Sequence, residues 1–407
     1  MRSFDYEIVK NPECFKINCL EAHSDNIHYR DFVEKDERIS TFYHSLNGIW
    51  KFSYAKNYDS TIKGFEKDEY NAKTWDDIRV PAHIQMEGYD IPQYVNVQYP
   101  WEGHEYIRPG QIPTEFNPVA SYVKYFTLPS SMEDMPLVIA FEGVESGFAL
   151  WLNGHFIGYH EDSFTKAEFD LSEYIRKGEN KLAVQVFKFS ASSWCEDQDF
   201  FRFSGIYRDV YLYTYPKTHI MDLEVKTFLD DSFKNAGLNL GFKIKSTLEA
   251  SYINFILSRE SENCLEVEKV NIVGEKLELA YNLENVALWS AEEPNLYELN
   301  IAVYDRNGNL LEVLNQDIGF RRFEMKNGLM LLNGKRIVFK GVNRHDFSSK
   351  FGRSVSKAEI KKDIITMKKN NINAIRTSHY PNNSYLYELC DKYGLYLIDE
   401  NNMETHG

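Results

Sequence analysis

The sequence has 407 residues, of which 43% are hydrophobic and 15% aromatic, enough to build several packed cores. This composition excludes an intrinsically disordered chain. Asp and Glu (61) outnumber Lys and Arg (46), which gives a net charge of −15. Such a charge argues against a nucleic-acid-binding protein and against attachment to an anionic membrane.

The cysteines and the hydropathy pattern bear on where in the cell the protein is found. The N-terminus has no apolar stretch of signal-peptide length, and no window reaches the roughly 18 apolar residues of a membrane span. The five cysteines are odd in number and scattered, without metal-type spacing: Cys14, Cys19, Cys195, Cys264 and Cys390. We therefore expect a reduced, cytoplasmic protein.

The first half of the chain has the pattern of an arm followed by a β-sandwich. Residues 1–40 are polar and irregular, and we expect an extended arm that lies on the next domain. Residues 41–215 contain short strand-like runs separated by turns. Two of these runs flank Asn153-Gly154, the strongest short signal for a β-hairpin.

A second β-rich segment covers residues 216–322. It contains about seven short strand-like runs, which suggests an immunoglobulin-like sandwich. No cluster of chemically active side chains appears in it. We interpret this segment as a spacer that sets the geometry of its neighbours.

In residues 323–407, the spacing of the apolar residues changes from that of strands to that of alternating strands and helices. Ser356 and Glu359 form a capping box, and Ile360, Ile364 and Met367 then recur on one helical face. A strand, a second helix and a further strand follow, as at the start of a parallel (β/α)8 TIM barrel. Three strands cannot close an eight-stranded barrel. We therefore expect the apolar face of the first helix to pack on barrel elements that are missing here, and so to be left exposed.

Polar side chains follow each strand of this last segment. In an α/β barrel, the active site lies where the strands end. The three strand ends present His345, His379 with Arg376, and Glu404 with His406. Glu404 and His406 are two residues apart, so in an extended segment they face one side and could bind a divalent ion. Spacing alone also permits ordinary surface side chains, because two ligands do not define a site.

Several stretches resemble the β-galactosidases of glycoside hydrolase family 2, and together they cover essentially the whole chain in order. They are EGVES at 142–146, WLNG at 151–154, EFDLS at 168–172, EDQDFFRFSGIYRDV at 196–210, LWSAEEPNLY at 288–297, GVNRH at 341–345, NINAIRTSHYP at 371–381, LCDKYGLY at 389–396 and DENNMETHG at 399–407. The stretch at 196–210 is the most diagnostic. The resemblance implies a jelly-roll sugar-binding domain, an immunoglobulin-like sandwich and the first part of a TIM barrel.

The resemblance also implies roles for residues at a galactose subsite. Asn96 and Asp199 would reach into it from the first sandwich, and Asp199 would bind galactose hydroxyls and a sodium ion. His345 and His379 would contact the galactosyl ring and stabilise the transition state. Arg376 would orient the nucleophilic carboxylate. Phe164 stands where the family usually has Arg, which weakens the carry-over for that loop only.

The resemblance further implies a magnesium site and a mechanism. Glu404 and His406 would bind Mg²⁺ together with the acid/base Glu, which is expected beyond residue 407. Terminal β-galactosides, such as lactose, would be hydrolysed with retention by two carboxylates about 5 Å apart. Neither catalytic Glu is expected within these 407 residues, so we expect the chain to be inactive alone and to work as part of a longer enzyme. The full-length protein is expected to be a homo-oligomer.

Three alternatives remain open. A different family 2 activity, such as that of a β-glucuronidase or β-mannosidase, is opposed by the EDQD and METHG stretches. A non-catalytic galactoside-binding protein would bind galactose without turnover, as many sandwich domains do. One half of a split enzyme would copurify with a second chain that carries the rest of the barrel.

Overall fold

The computed structural model describes residues 3–246 and 251–406, in which a β-sandwich is followed by a second one and by an α/β segment. The first sandwich and the arm before it contain β1 Lys16–Ile17, α1 Phe32–Glu37, β2 Tyr43–Ser45, β3 Gly48–Ala55, β4 Asp76–Val80, β5 Gln93–Val95, β6 Val119–Thr127, β7 Leu137–Phe141, β8 Val144–Glu145, β9 Gly147–Leu152, β10 His155–His160, β11 Ala167–Asp170, β12 Glu179–Phe187, β13 Phe200–Arg202, β14 Gly205–Ile206 and β15 Val210–Thr214. Short 3-10 helices lie at Tyr6–Lys10, Tyr58–Ser60, Ile84–Glu87, Ser130–Met132 and Ala191–Trp194.

Two antiparallel sheets form the first sandwich. The larger sheet has the order β1-β10-β9-β12-β6-β3-β4, and the smaller one has the order β11-β7-β15-β2. Side chains such as Trp50, Phe52, Phe141, Phe148 and Leu150 fill the space between them. The hairpin predicted at Asn153-Gly154 is confirmed, because β9 pairs with β10 across it. Two further pairs, β5 with β13 and β8 with β14, stand outside both sheets.

The arm is more structured than its composition suggested. It contains the helix α1, whose first turn is capped because the Asp31 side chain accepts from the Glu34 amide. β1 adds to the larger sheet beside β10. Further along the arm, His23 contacts Glu168 of the first sandwich at 2.9 Å, and His28 contacts Glu312 of the second at 2.8 Å. The arm therefore connects the two sandwiches.

The second sandwich has seven strands in the described part of the chain, as expected for an immunoglobulin-like domain. They are β16 Thr218–Leu229, β17 Ala236–Ser246, β18 Tyr252–Arg259, β19 Glu262–Asn271, β20 Lys276–Leu283, β21 Tyr297–Tyr304 and β22 Leu310–Ile318. The two sheets have the orders β16-β17-β20 and β19-β18-β21-β22. Their inner faces pack around Leu240, Phe242, Phe255 and Ile301.

The last segment begins with an antiparallel sheet and continues as a parallel one. Its elements are β23 Phe323–Lys326, β24 Leu329–Leu332, β25 Lys335–Arg336, β26 Gly341–Arg344, α2 Lys357–Lys369, β27 Ala374–Thr377, α3 Ser384–Tyr393 and β28 Tyr396–Ile398. β26, β27 and β28 are parallel neighbours in that order. Ser356 and Glu359 cap α2 reciprocally, as predicted, and Gly394 ends α3 with φ of 74°. This is the start of a TIM barrel.

The expectation that the apolar face of α2 is left uncovered is wrong. Ile360 and Ile364 are fully buried, in one cluster with Ile375 of β27 and with Leu386 and Leu389 of α3. The two helices pack on each other and on the strand between them, so this face needs no further barrel element. Among the described residues, no helix has the length and apolar content to cross a membrane. All five cysteines are unpaired thiols.

Candidate functional site

The ends of the three parallel strands bring the predicted barrel residues together. Because β26, β27 and β28 run in the same direction, their C-terminal ends lie at one edge of the sheet. His345 follows β26, Arg376 lies in β27, and His379 follows β27 by two residues. The His345 and His379 rings are 5.3 Å apart between centroids, at an angle of 85°. The two histidines therefore form one imidazole pair at the rim.

A carboxylate that sequence reasoning missed holds two of these side chains. Arg376 Nε donates to Glu400 Oε1 at 2.7 Å, and Arg376 Nη2 lies 2.6 Å from the same oxygen. The other oxygen, Glu400 Oε2, is 3.1 Å from His379 Nδ1. The available signal was position: Glu400 comes two residues after β28, where this type of barrel places its chemistry.

His345 is poised to act as a neutral imidazole. Burial lowers its pKa, and the neighbouring His379 and Arg353 lower it further. Asp199 acts in the opposite direction but does not reverse the shift. A neutral imidazole offers one donor and one acceptor, which suits contact with a hydroxyl group.

The first sandwich delivers Asn96 and Asp199 to the same rim. β5 and β13 are antiparallel and pair Val95 with Phe200, so the continued register places Asn96 beside Asp199. Tyr94 donates a short hydrogen bond to Asp199 Oδ1, and this bond raises the pKa of Tyr94. Asp199 is close enough to His345 to affect its pKa. Side chains from two domains therefore face one another here.

Glu404 and His406 lie on an extended segment that pairs with the first sandwich. Glu404 N donates to Cys195 O at 2.7 Å, and Asp197 N donates to Glu404 O at 3.0 Å. Glu404 Oε1 and His406 Nε2 are 3.6 Å apart, so both side chains point to the same side, as their spacing suggested. The backbone hydrogen bonds between the two domains therefore help to position Glu404 and His406.

The pair fits part of a divalent-metal site. Mg²⁺ binds oxygen ligands at about 2.1 Å, so one cation can reach two donor atoms that are 3.6 Å apart. His406 Nδ1 is within hydrogen-bond distance of Asp197 Oδ2, at 3.3 Å, so Nε2 is the ring nitrogen that is free to bind a metal. Within residues 3–246 and 251–406, no three His, Cys, Asp or Glu side chains gather into a complete site.

A buried polar network fastens this segment to the sandwich. Asn402 Nδ2 donates to Asp162 Oδ1 at 2.9 Å and to Glu196 Oε1 at 2.6 Å. Gln198 Nε2 donates to Asn402 Oδ1 at 2.9 Å. Burial and the nearby Asp162 charge raise the pKa of Glu196 to about 8, while two bonds from Ser163 act against that shift. The network fixes the backbone just before Glu404.

Phe164, the departure from the family pattern, has a packing role at the same interface. Its ring stacks on Tyr380 with centroids 4.1 Å apart. Arg353 is 1% exposed at its side chain, lies 4.3 Å over the Phe200 ring and forms a short ion pair with Glu145. An apolar ring at 164 therefore completes a packed layer between the domains.

The chain thus combines two β-sandwiches with the start of a TIM barrel, whose strand ends carry paired histidines, an arginine and carboxylates. The family descriptions "Glycosyl hydrolases family 2, sugar binding domain", "Glycosyl hydrolases family 2" and "Glycosyl hydrolases family 2, TIM barrel domain" match residues 43–216, 218–321 and 323–407. The chain belongs to glycosyl hydrolases family 2.

Individual proteins of known sequence or structure are also similar to this chain. A β-galactosidase of Halalkalibacterium halodurans is 51% identical over 98% of the chain and 40% of that relative. A β-galactosidase large subunit of Lactobacillus acidophilus is 41% identical over 98% of the chain and 65% of that relative. A solved β-glycosidase from Bacteroides vulgatus has a TM-score of 0.71 at 27% identity, over 88% of the chain and 44% of its own length. The chain thus spans less than two thirds of the length of these relatives.

Proposed function

We propose that this chain forms the N-terminal part of a retaining β-galactosidase, in which it recognises the terminal galactose and supports the transition state. The observation that carries the proposal is the rim itself. There Asp199 of the first sandwich lies near His345 of the barrel segment, and the His345 ring is 5.3 Å from the His379 ring. The identity of 51% to a β-galactosidase, spread over nearly the whole chain, supports galactose as the sugar.

Each rim side chain has a role that its chemistry supports. Asp199 accepts hydrogen bonds from sugar hydroxyls, and Asn96 offers an amide beside it. His345 and His379 contact ring hydroxyls whose hydrogen bonds strengthen as charge develops. Epimers of galactose would bind less well because a polar group of the rim would lose its hydrogen bond to the sugar. Arg376 orients the carboxylate that attacks the anomeric carbon.

The chemistry requires two carboxylates about 5 Å apart. One protonates the leaving oxygen, and the other forms the glycosyl-enzyme that water then hydrolyses. Glu400 is not assigned to either task, because both of its oxygens are held by Arg376 and His379. We assign both catalytic carboxylates to the part of the enzyme that follows this chain.

Two cations belong to the proposal. Glu404 and His406 would hold Mg²⁺, and Asp199 would hold Na⁺. Bound Mg²⁺ would supply positive charge that stabilises negative charge developing at the rim. The complete enzyme would work in the cytoplasm on lactose or another β-galactoside.

The substrate proposal is tested with the complete enzyme and a panel of nitrophenyl glycosides. We expect kcat/KM to be highest for the β-galactoside, with the β-glucoside and the β-glucuronide lower by about 10⁴-fold or more, as for a site built to bind a hydroxyl. Proton NMR should show the β-anomer of galactose as the first product. A preference for the glucuronide, or inversion at the anomeric carbon, would refute the proposal.

A two-chain enzyme is a second candidate arrangement. It is favoured by the relative named a large subunit, of which the chain covers 65%, against 40% of the single-chain β-galactosidase. In that arrangement a separate chain would complete the enzyme. Affinity purification of the native protein from its source, followed by mass spectrometry, distinguishes the two. One long polypeptide would refute the two-chain arrangement.

A further inference from the structure

Asp197 is a fully buried carboxylate at the junction of the first sandwich and the proposed metal-binding segment. Its side chain is 0% exposed. Asp197 Oδ1 accepts from Arg202 Nη2 at 2.5 Å, and Asp197 Oδ2 lies 3.3 Å from His406 Nδ1. Its backbone amide donates to Glu404 O at 3.0 Å. One residue of the sandwich therefore contacts both proposed metal ligands.

The contact with His406 has a chemical consequence. Arg202 Nη2 donates to Asp197 Oδ1, so Oδ2 is the oxygen that faces His406. A hydrogen bond from His406 Nδ1 to Asp197 Oδ2 places the ring proton on Nδ1. In the neutral ring, Nε2 then has a free lone pair, and this atom is the one 3.6 Å from Glu404 Oε1.

We propose that Asp197 is a positioning residue that fixes the tautomer and orientation of His406 for a divalent cation. The inference rests on the proposed metal site at Glu404 and His406. It adds that the affinity of this barrel site is set by a residue of the first sandwich. A carboxylate behind a metal-bound histidine is a common arrangement, and its loss typically weakens metal binding by about 10–100-fold.

A purely structural role is the competing explanation, because the Asp197 and Glu404 backbones also join the two domains. Asp162 provides a matched control. Its carboxylate accepts from Asn402 at 2.9 Å in the same interface but makes no contact with His406. A structural role predicts similar losses when either carboxylate is replaced, whereas a positioning role predicts a loss for Asp197 alone.

The test measures Mg²⁺ binding by calorimetry on the complete enzyme after removal of metal with a chelator. We expect Asp197→Asn to raise the Kd for Mg²⁺ by about 10–100-fold. Asp162→Asn should change the Kd far less, because the amide oxygen of Asn can still accept from Asn402. Thermal unfolding of the metal-free enzyme serves as the fold check. An unchanged Kd in Asp197→Asn, or an equal loss in Asp162→Asn, would overturn the inference.

Asp197→Asn leaves Arg202 without its buried partner, so the single variant could fail to fold. The double variant Asp197→Asn/Arg202→Gln removes both charges and keeps the test valid. It should show the same weakening of Mg²⁺ binding, and wild-type affinity in it would overturn the inference. Turnover of a β-galactoside by the unmodified enzyme tests the proposed function separately. An active wild type with equal Kd in all variants would refute only the role of Asp197.

Discussion

His345 and His379 illustrate what single residues reveal before a structure is known. Each histidine alone is compatible with an ordinary core residue, and only their positions after successive parallel strands suggested a shared site. The structure brings the two rings to 5.3 Å. Their roles in catalysis remain a prediction, which kinetics can examine.

In the complete enzyme, we expect His345→Phe or His379→Phe to lower kcat more than it weakens ground-state binding. The reason is that their hydrogen bonds should strengthen as charge develops, an effect worth about 2–4 kcal/mol each. Steady-state kinetics on a nitrophenyl β-galactoside measure the split between kcat and KM. A raised KM with unchanged kcat would assign the residue to plain substrate binding.

Glu400 shows what residue-level reasoning missed. Its position after β28 could be read from the sequence, but its contacts with Arg376 of β27 and with His379 just after that strand could not. We expect Glu400→Gln to lower kcat/KM by about 10–100-fold, since hydrogen bonds to charged groups contribute about 1.5–3 kcal/mol. Kinetics of Glu400→Gln measure this, and Asp391→Asn, which replaces an exposed carboxylate of α3, is the control. Equal activity of Glu400→Gln and wild type would show that Arg376 and His379 need no support.

At the scale of elements, local signals predicted the structure best. The Asn153-Gly154 turn, the capping box of α2 and the glycine that ends α3 each act within a few residues, and all three are confirmed. The arm was predicted less well: its contacts depend on partners hundreds of residues away, and the local cap of its helix, Asp31 on the Glu34 amide, was missed. The packing of α2 was predicted wrongly for the same reason: the sequence shows that a face is apolar but not what covers it.

The arm offers a pH-dependent prediction. A hydrogen bond to Glu168 raises the pKa of His23, while His23 and Lys166 together lower the pKa of Glu168 against the effect of burial. The stability from His23 is present below its unfolded pKa and is lost as the pH rises through the folded pKa. The contribution of Glu168 is lost as the pH falls through its lowered folded pKa. His23→Gln should therefore destabilise the protein by about 1.5–3 kcal/mol near pH 6 and by less at pH 9.

Urea unfolding of His23→Gln and wild type at the two pH values checks this prediction. His104→Gln is the control, because no hydrogen bond or ion pair of its side chain is described. An equal difference between His23→Gln and wild type at both pH values would mean that the contact does not depend on the charge of the imidazole.

At the scale of the whole molecule, the candidate site lies where the first sandwich and the barrel segment are in contact, so the sequence of either domain alone does not predict it. Arg353 of the barrel segment is buried against Glu145 of the first sandwich, and Arg353 Nη1 donates to Phe201 O at 2.8 Å. Sequence reasoning identified both domains through family stretches but gave no indication of this pairing. The reason is that ion pairs across an interface leave no periodic pattern.

Arg353→Met should loosen the barrel segment from the sandwich. Removing one partner of a buried ion pair costs about 3–5 kcal/mol, because Glu145 is left as an unpaired buried charge. Limited proteolysis should then cut the variant faster than wild type near Arg322, between the second sandwich and the barrel segment. Arg336→Met, at an exposed arginine, is the control. Equal cutting rates in Arg353→Met and wild type would show that the domains are held together elsewhere.

The most direct test of the central claim compares two preparations on one substrate. The claim is that this chain supplies sugar recognition and support for a β-galactosidase whose catalytic carboxylates lie outside these 407 residues. The purified 407-residue chain should give no turnover of nitrophenyl β-galactoside above a mock-purified control, and addition of the remainder of the enzyme should restore it. Turnover by the 407-residue chain alone would contradict the account.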